Sequence, residues 1–581
     1  MSYKMAMWCC SDLMFKRQKM DYKVEIAKLI KIDGVSFDEI LSLVVAAKDS
    51  ALADFAFPCF KFAKTLRKSP VIVAKEIVSS IEKPAFIESI EAVNGYVNFK
   101  LSKLNFVKQT VDKTLALGES YGASTEGAGK TICIDYSSIN IAKPFHMGHL
   151  STTVIGAALY RIYKKLGYSV VGINHLGDWG TQFGKLIVAY KMWGDKEDIN
   201  NRGINALLEI YVKFHKEAES TPELNDIARN WFKKIEDGDS EAMELFLWFK
   251  EVTLRDVQKI YDRLDVHFDS YNGESFYNDK MQPVIDELEA KGLTKISNGA
   301  TIVEFDQSED MPPCLIKKAD GATLYATRDM AAAFYRKNTY NFYKSLYVVA
   351  YQQNLHFKQL FKVIEMMGYD WAKDMIHVPF GMVSIEGGKL STRDGNVVFL
   401  EDVLNTARDK ALEIINEKNP DLENKQDVAE MVGTGAVVFG ALVGSRIKDI
   451  SFSYDKVLNF EGETGPYVQY TFARCCSLLN KIESSGSINY DNLTSAESYE
   501  LIKLIDKYPD IVADAGAKYE PSIVTRYIYN LAVQFNKFYL EQNISNSNEQ
   551  DKCARLAVVK IVQNIIKDGM SLLGIKCPTK M

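Results

Sequence analysis

The apolar positions change their spacing several times along the chain. From Tyr22 to about Gly118 the pattern is mixed. Ile26, Leu29 and Ile30 share a face at helical spacing, whereas Tyr96 to Phe99 alternates as a strand does. Between 118 and 129 Gly, Ser and Thr accumulate and predict a linker. Thr131 to Tyr136 is an apolar run of strand length, and a helix is predicted from about His146 to Leu166, ended by Gly167. A second strand, Ser169 to Asn174, and a helix from about Thr181 follow. This alternation opens a parallel α/β sheet.

From about 192 to 299 the chain is charged, helical in period and dotted with isolated aromatics such as Trp231, Trp248 and Tyr261. That predicts an insertion interrupting the sheet. The α/β pattern resumes at Ser345 to Tyr351, with a helix near Phe357 to Met367 and a strand from His377 to Ser384. After Leu400 the period is almost wholly helical. The fold class is therefore α/β. A small α+β unit covers 21–118, a parallel-sheet domain 119–401 and an all-α region 402–581. Residues 1–20 are expected to be a disordered or non-native extension, and Met20 is an alternative start.

Composition narrows the function classes. Of 581 residues, 47% are hydrophobic and 25% charged, as in soluble globular proteins. Apolar runs such as Ala436 to Val443 fall far short of the ~20 residues of a membrane span. A net charge of −6 gives no overall basic field, although one basic face suffices for nucleic acid. The nine cysteines contain no C-x-x-C spacing, so no structural zinc is expected, and scattered thiols fit a reducing, cytoplasmic setting. Met5 to Cys10 is apolar, but charged residues follow at once and no cleavage pattern marks a signal peptide.

Two segments carry candidate chemistry. His146-Met147-Gly148-His149 opens the helix after the first strand, at the sheet edge where such folds bind ligands. A helix N-terminus favours phosphates, and residues three apart point both imidazoles to one side. Gly148 removes a side chain that would block an adenine ring. Downstream, Gly387 to Gly395 is a cationic, glycine-flanked loop containing Lys389, Ser391 and Arg393, suited to closing over a triphosphate. Phe57 to Lys64 interleaves aromatics with Lys61 and Lys64, followed by Arg67 and Lys68. That pattern reads either as an RNA grip or as an amphipathic helix with lysines reaching solvent.

Together HMGH and KLSTR (Lys389 to Arg393) resemble the HIGH and KMSKS signatures of class I aminoacyl-tRNA synthetases. The strings SSINIAKPFHMGHL (Ser137 to Leu150), HLGDWGTQFG (His175 to Gly184), YATRD (Tyr325 to Asp329) and EGETGPYVQYTFAR (Glu461 to Arg474) resemble the arginyl-tRNA synthetases in particular. The similarity runs from about Tyr22 to Met581. It implies a Rossmann-type catalytic domain over 119–401, an additional tRNA-contacting domain over 21–118 and a helical anticodon-binding domain over 402–581.

The resemblance also implies site residues. His146, His149, Lys389, Arg393 and Lys143 would act on the ATP phosphates, with Gly148, Ser391 and His356 on the nucleotide. Thr392 stands where the family has a second lysine, and Lys143 is the candidate replacement. A pocket for arginine needs a carboxylate for the forked guanidinium. Asp329 fits that position, with Asp135 facing the same group, Ser138 beside it and Tyr325 as a wall. Asn140 and Gln353 would hold the α-amino and carboxylate end. On its own Asp329 reads equally as half of an ion pair with Arg328 or Arg336, and His175, Asp178 and Trp179 either shape the adenosine floor or are structural. Tyr467, Tyr470, Tyr539 and Met581 offer faces for unstacked bases, with Lys61 and Lys64 on the tRNA elbow.

The implied reaction is arginylation of tRNA(Arg) from ATP with Mg²⁺, through an adenylate, onto the terminal 2′-hydroxyl. The resemblance further implies tRNA-dependent activation, a monomer and no membrane partner. Two rivals remain from the residues alone. One is a smaller type of nucleotidyltransferase using H-x-G-H; the other is a non-enzymatic RNA-binding relative.

Overall fold

The computed structural model describes residues 22–47, 53–143, 145–319, 325–385, 398–542, 544 and 547–581. The expected extension 1–20 and the signature-loop residues Lys389, Ser391 and Arg393 lie outside the described residues. The described chain divides into two compact units. One takes in the chain up to Tyr121 with Leu478–Lys507 and Val533–Asn564; the other comprises Gly122–Ser477, Tyr508–Ala532 and Ile565–Met581.

In the first unit, β1 (Val45–Ala46), β2 (Phe55–Pro58), β3 (Ile87–Val93) and β4 (Tyr96–Leu101) form an antiparallel sheet in the order β1-β2-β4-β3. Helices Tyr22–Leu29, Phe37–Leu43 and Pro70–Ser80 contribute to its core: Ile26, Ile40 and Val73 are buried with Phe57, Val97 and Phe99. The aromatic and basic segment is neither a single helix nor a uniform grip. It runs from β2 through a 3₁₀ turn, Phe60–Phe62, into a short helix, Ala63–Leu66, that stops at Arg67 with φ 53°. Phe57 and Phe62 stack inside at 5.8 Å, while Phe60 faces outward against Tyr96 at 5.1 Å.

The second unit holds the parallel sheet. Its strands β5 (Thr131–Asp135), β6 (Ser169–Ile173), β10 (Lys344–Tyr347) and β11 (Met375–His377) lie in the order β11-β10-β5-β6. The central strands β5 and β10 are short runs buried on both faces, as inner parallel strands require, while the outer strands β6 and β11 are partly exposed. Asp135, Tyr347 and His377 end in register, so the loops that follow leave from one edge. Helix α1 (Leu150–Lys165) packs so closely that a Cβ on Gly156 would lie 2.3 Å from the Tyr136 ring. The linker read at 118–129 is tied down: Ser124 N donates to Lys165 O and Gly127 N to Leu166 O.

The insertion is helical as expected, including α2 (Thr181–Trp193) and α3 (Ser240–Arg263). At its end comes β7 (Thr294–Ser297), which forms a small antiparallel sheet with β8 (Ala300–Val303) and β9 (Cys314–Lys317) that the periodicity did not indicate. Helices α4 (Tyr325–Tyr340) and α5 (Asn354–Met366) complete the α/β part. The strand expected over 377–384 is two strands. After β11 comes Pro379, which has no N–H for a ladder, and Gly381, where a Cβ would sit 2.4 Å from the Lys448 backbone. The chain then forms β12 (Val383–Ile385), which pairs in parallel with β13 (Ile450–Phe452). The remainder is helical, from Leu400–Lys418 to Glu549–Leu572.

Candidate active site

The loop leaving β5 is held in conformations that non-glycine residues rarely adopt. Ser137, Ser138 and Ala142 have φ of 71°, 44° and 59°. A buried polar cluster fixes them. Ser137 Oγ is 2.7 Å from Tyr261 Oη, which accepts from Asn174 Nδ2 at 2.9 Å, and Thr153 Oγ1 is 2.9 Å from Ser137 Oγ. Ala142 N donates to Thr253 Oγ1 at 3.1 Å, so α3 of the insertion braces the loop. Ile141 N and Gly177 N donate to Gly177 O and Ile139 O, zipping the loop onto the HLGDWG segment. A Cβ on Gly177 would lie 2.2 Å from Asn140 Oδ1, so the glycine makes room for that amide.

His146 and His149 face each other with ring centroids 3.9 Å apart. His146 Nδ1 accepts from Gly148 N at 3.1 Å, and His149 Nδ1 accepts from His146 N at 3.2 Å. A nitrogen accepting from a backbone N–H carries no proton, so both rings are neutral with the hydrogen on Nε2. Burial lowers the pKa of His146, with Lys143 adding to it. His149 is lowered to about 3 by burial, with His146 and Lys143 pushing the same way, against one backbone hydrogen bond. The pair therefore offers neutral N–H donors near an exposed lysine. Gly148 has a nearer reason than the expected adenine contact: its Cβ would sit 2.8 Å from His146 Cε1.

Within HLGDWG, Asp178 and Trp179 tie the segment to the insertion. Asp178 is fully buried and accepts from Lys250 Nζ (2.7 Å), Ser275 N (2.9 Å) and Ser275 Oγ (2.8 Å). Trp179 packs edge-on to Phe232 and Phe246 of the insertion helices.

The expected arginine pocket has an unexpected interior. Asp329 on α4 has Oδ2 2.7 Å from His356 Nε2 and Oδ1 3.9 Å from His175 Nε2. His356, expected on the nucleotide, is bonded to Asp329. Burial pushes the Asp329 carboxyl up, but the hydrogen bond and charge of His356, with His175 and Arg336, outweigh it and hold its pKa below the usual value. Asp135, expected to face the substrate guanidinium, already holds one: Arg336 Nη2 lies 2.7 Å from its Oδ2, while Ser138 Oγ donates to its Oδ1 at 2.9 Å. Tyr325 is 67% exposed at the first turn of α4, and Gln353 is exposed at the end of the 3₁₀ turn Tyr351–Gln353.

Family models match almost the whole chain. Residues 21–101 match the arginyl-tRNA synthetase N-terminal domain, 110–454 the class I (R) tRNA synthetase catalytic domain, and 468–581 the DALR anticodon-binding domain. The arginine–tRNA ligase of Alkaliphilus metalliredigens is 54% identical over 97% of this chain and 100% of its own length. That of Halothermothrix orenii is 51% identical over the same shares. The chain belongs to the arginine–tRNA ligases. Solved arginyl-tRNA synthetases from Thermus thermophilus and Plasmodium falciparum share its fold, each with a TM-score of 0.74 at 24% identity. The first covers 93% of this chain and 96% of its own, the second 97% and 98%.

Among arginine–tRNA ligase features, the base-contacting candidates divide. Tyr470 is 45% exposed beneath Arg474, and Tyr467 pairs with Tyr529 at 5.5 Å. Tyr539 is half-buried. Met581 packs on the cluster around Ala429, and its carbonyl accepts from Asn419 Nδ2 at 3.2 Å. It is therefore a packing residue more than an offered face. Lys61 is paired with Glu39 at 2.7 Å and Lys68 with Glu76 at 2.6 Å, which reduces the basic cluster, while Lys64 is exposed. Arg336, weighed from sequence only as an ion-pair partner of Asp329, pairs with Asp135, and the polar cluster around Tyr261 was not expected. Arg336 did carry a signal: it lies two helical turns beyond Asp329, on the same face.

Proposed function

We propose that this chain activates arginine with ATP and transfers it to tRNA(Arg). An oxygen of the arginine α-carboxylate attacks the α-phosphorus in line, and the bond to the bridging oxygen breaks to release pyrophosphate. The terminal ribose 2′-hydroxyl of the tRNA then attacks the adenylate carbonyl and AMP leaves. The protein supplies position and charge rather than a nucleophile. The carrying observation is the placement of two neutral imidazole Nε2–H donors, His146 and His149, on the loop after β5 beside exposed Lys143.

In this reading Asp329 receives the guanidinium, Tyr325 walls it, and Asn140 and Gln353 take the amino-acid end. Lys389, Ser391 and Arg393 act on the phosphates from the second signature loop. Mg²⁺ arrives with the triphosphate. Among the described residues no cluster of three His, Cys, Asp or Glu is placed to hold a metal ion, and no step is assigned to one. Tyr470, Tyr467 and Tyr539 face RNA bases, Lys61 and Lys64 the tRNA elbow, and the enzyme works as a cytoplasmic monomer that needs tRNA before activation. Domain roles follow the same lines: tRNA contact over 21–118, catalysis over 119–401, anticodon binding over 402–581. Among the described residues no helix is long and apolar enough to cross a membrane.

ATP–pyrophosphate exchange with each of the standard amino acids, with and without tRNA, tests the proposal. Exchange with arginine alone among them is expected. Exchange with another amino acid and not arginine overturns it.

A further inference from the structure

We infer that Arg336 and His175 form a positioning pair that orients Asp329 for a cationic side chain, an inference that rests on Asp329 being the arginine-recognition carboxylate. Arg336 is 1% exposed, with Nη2 2.7 Å from Asp135 Oδ2 and 3.3 Å from His175 Nδ1. A guanidinium has only donors. The facing His175 nitrogen must therefore accept, which leaves the ring neutral with its hydrogen on Nε2. That Nε2 is the atom directed at Asp329 Oδ1, 3.9 Å away, with the ring stacked on Tyr277 at 5.5 Å. An imidazolium would set N–H against N–H at Arg336. His356 Nε2 takes the other Asp329 oxygen at 2.7 Å. The carboxylate is thus faced by one imidazole nitrogen on each side, and the buried arginine decides the tautomer of one of them.

Charge placement agrees. Asp135 is matched by Arg336, Asp178 by Lys250 at 2.7 Å, and Glu274 lies 3.1 Å from Arg328. Asp329 is the member of this group whose direct partners are imidazoles. Arg336 Nε has no hydrogen-bond partner although buried, an arrangement that apolar packing would avoid if the role were only to fill space. The groups facing His175 are Asp135, Arg336, Asp329 and Asp178. Burial lowers its pKa and Arg336 adds to that, against the three carboxylates.

Wild-type protein labelled with ¹⁵N-histidine gives the first test, since the chain has seven histidines and His175→Gln identifies the His175 signals. At neutral pH a bare Nδ1 and a protonated Nε2 are expected; the opposite tautomer or an imidazolium overturns the inference. Kinetics give the second. A glutamine amide reaches the Nε2 position and an asparagine amide the Nδ1 position. His175→Gln should keep the arginine KM within about threefold of wild type. His175→Asn, which withdraws the N–H facing Asp329, should raise it by about tenfold or more. The ATP KM and kcat should move less than about threefold in both. Equal arginine KM values for the two variants overturn the pair's role. Asp329→Asn run alongside separates the failures: an unchanged arginine KM there removes the recognition reading itself.

Discussion

His356 Nε2 donates to Asp329 Oδ2 across 2.7 Å, so the carboxylate proposed to receive arginine already has one oxygen occupied by an imidazole. An ionised carboxylate has lone pairs for further donors on both oxygens. The substrate guanidinium therefore joins an existing hydrogen bond and meets a carboxylate whose plane is fixed beforehand, which reduces the ordering cost of binding.

Asp329→Asn keeps the shape and loses the charge. Arginine binding should weaken by about 1.5–3 kcal/mol, the scale of a charge-assisted hydrogen bond. The ATP KM should not change. Isothermal titration with arginine measures the first and exchange kinetics the second; wild-type arginine affinity would remove Asp329 from the pocket.

Replacing His146 or His149 by Ala should lower adenylate formation by roughly 10²–10³-fold, the effect of removing one placed donor. Because the working hydrogen sits on Nε2, glutamine should rescue more than asparagine at either position. Single-turnover adenylate formation with circular dichroism as a folding check decides it. Equal rates for Gln and Asn would mean that the Nε2 hydrogen is not the contact.

Glu274 supplies a pH dependence. Burial pushes its carboxyl up to about 7 against the pull of Arg328, with Asp329 and Asp178 pushing the same way as burial. As pH rises through about 7 the group ionises and the pocket gains negative charge. The arginine KM should therefore fall between about pH 6 and about pH 8, by up to tenfold for ~1.4 kcal/mol of added attraction. Glu274→Gln should flatten that trend. The stability sign is opposite. A carboxyl raised on folding contributes stability below its unfolded value and loses it as pH rises through about 7. The glutamine variant should accordingly gain stability relative to wild type at about pH 8, read as a urea midpoint. Parallel KM profiles for the two proteins would rule out Glu274 as the titrating group.

Much of the catalytic half is legible in sequence because its signals are local. β5 and β6 are apolar runs bounded by turn residues, and the paired histidines sit at the one sheet edge where a strand meets a helix N-terminus. What escapes the sequence is set by distance or by strain. Asp135 and Arg336 are 201 positions apart, so no window contains their ion pair. Ser137, Ser138 and Ala142 adopt positive φ without being glycine, held by Tyr261 and Thr253 from an insertion that reads only as charged helix. The break between β11 and β12 was written in Pro379 and Gly381, but the apolar run across them masked it.

Activation should require tRNA. Pyrophosphate exchange with arginine and ATP is expected to be slow without RNA and fast with cognate tRNA, a population shift that needs differential affinity for two states. A tRNA with an oxidised terminal ribose separates activation from acceptance. Equal exchange in all three conditions would end the proposal.

The pairing of β12 with β13 constrains how this chain can be recombined with its relatives. β12 stands immediately before the second signature loop, and its partner Ile450–Phe452 comes after two long helices, Leu400–Lys418 and Lys425–Leu442. A chimera joined at residue 401 would import a foreign partner strand and set the root of that loop by a neighbour it did not evolve with. Moving the crossover to Ser453 carries both strands together, so grafts of the helical region made there should keep the donor's tRNA preference without disturbing the recipient's chemistry.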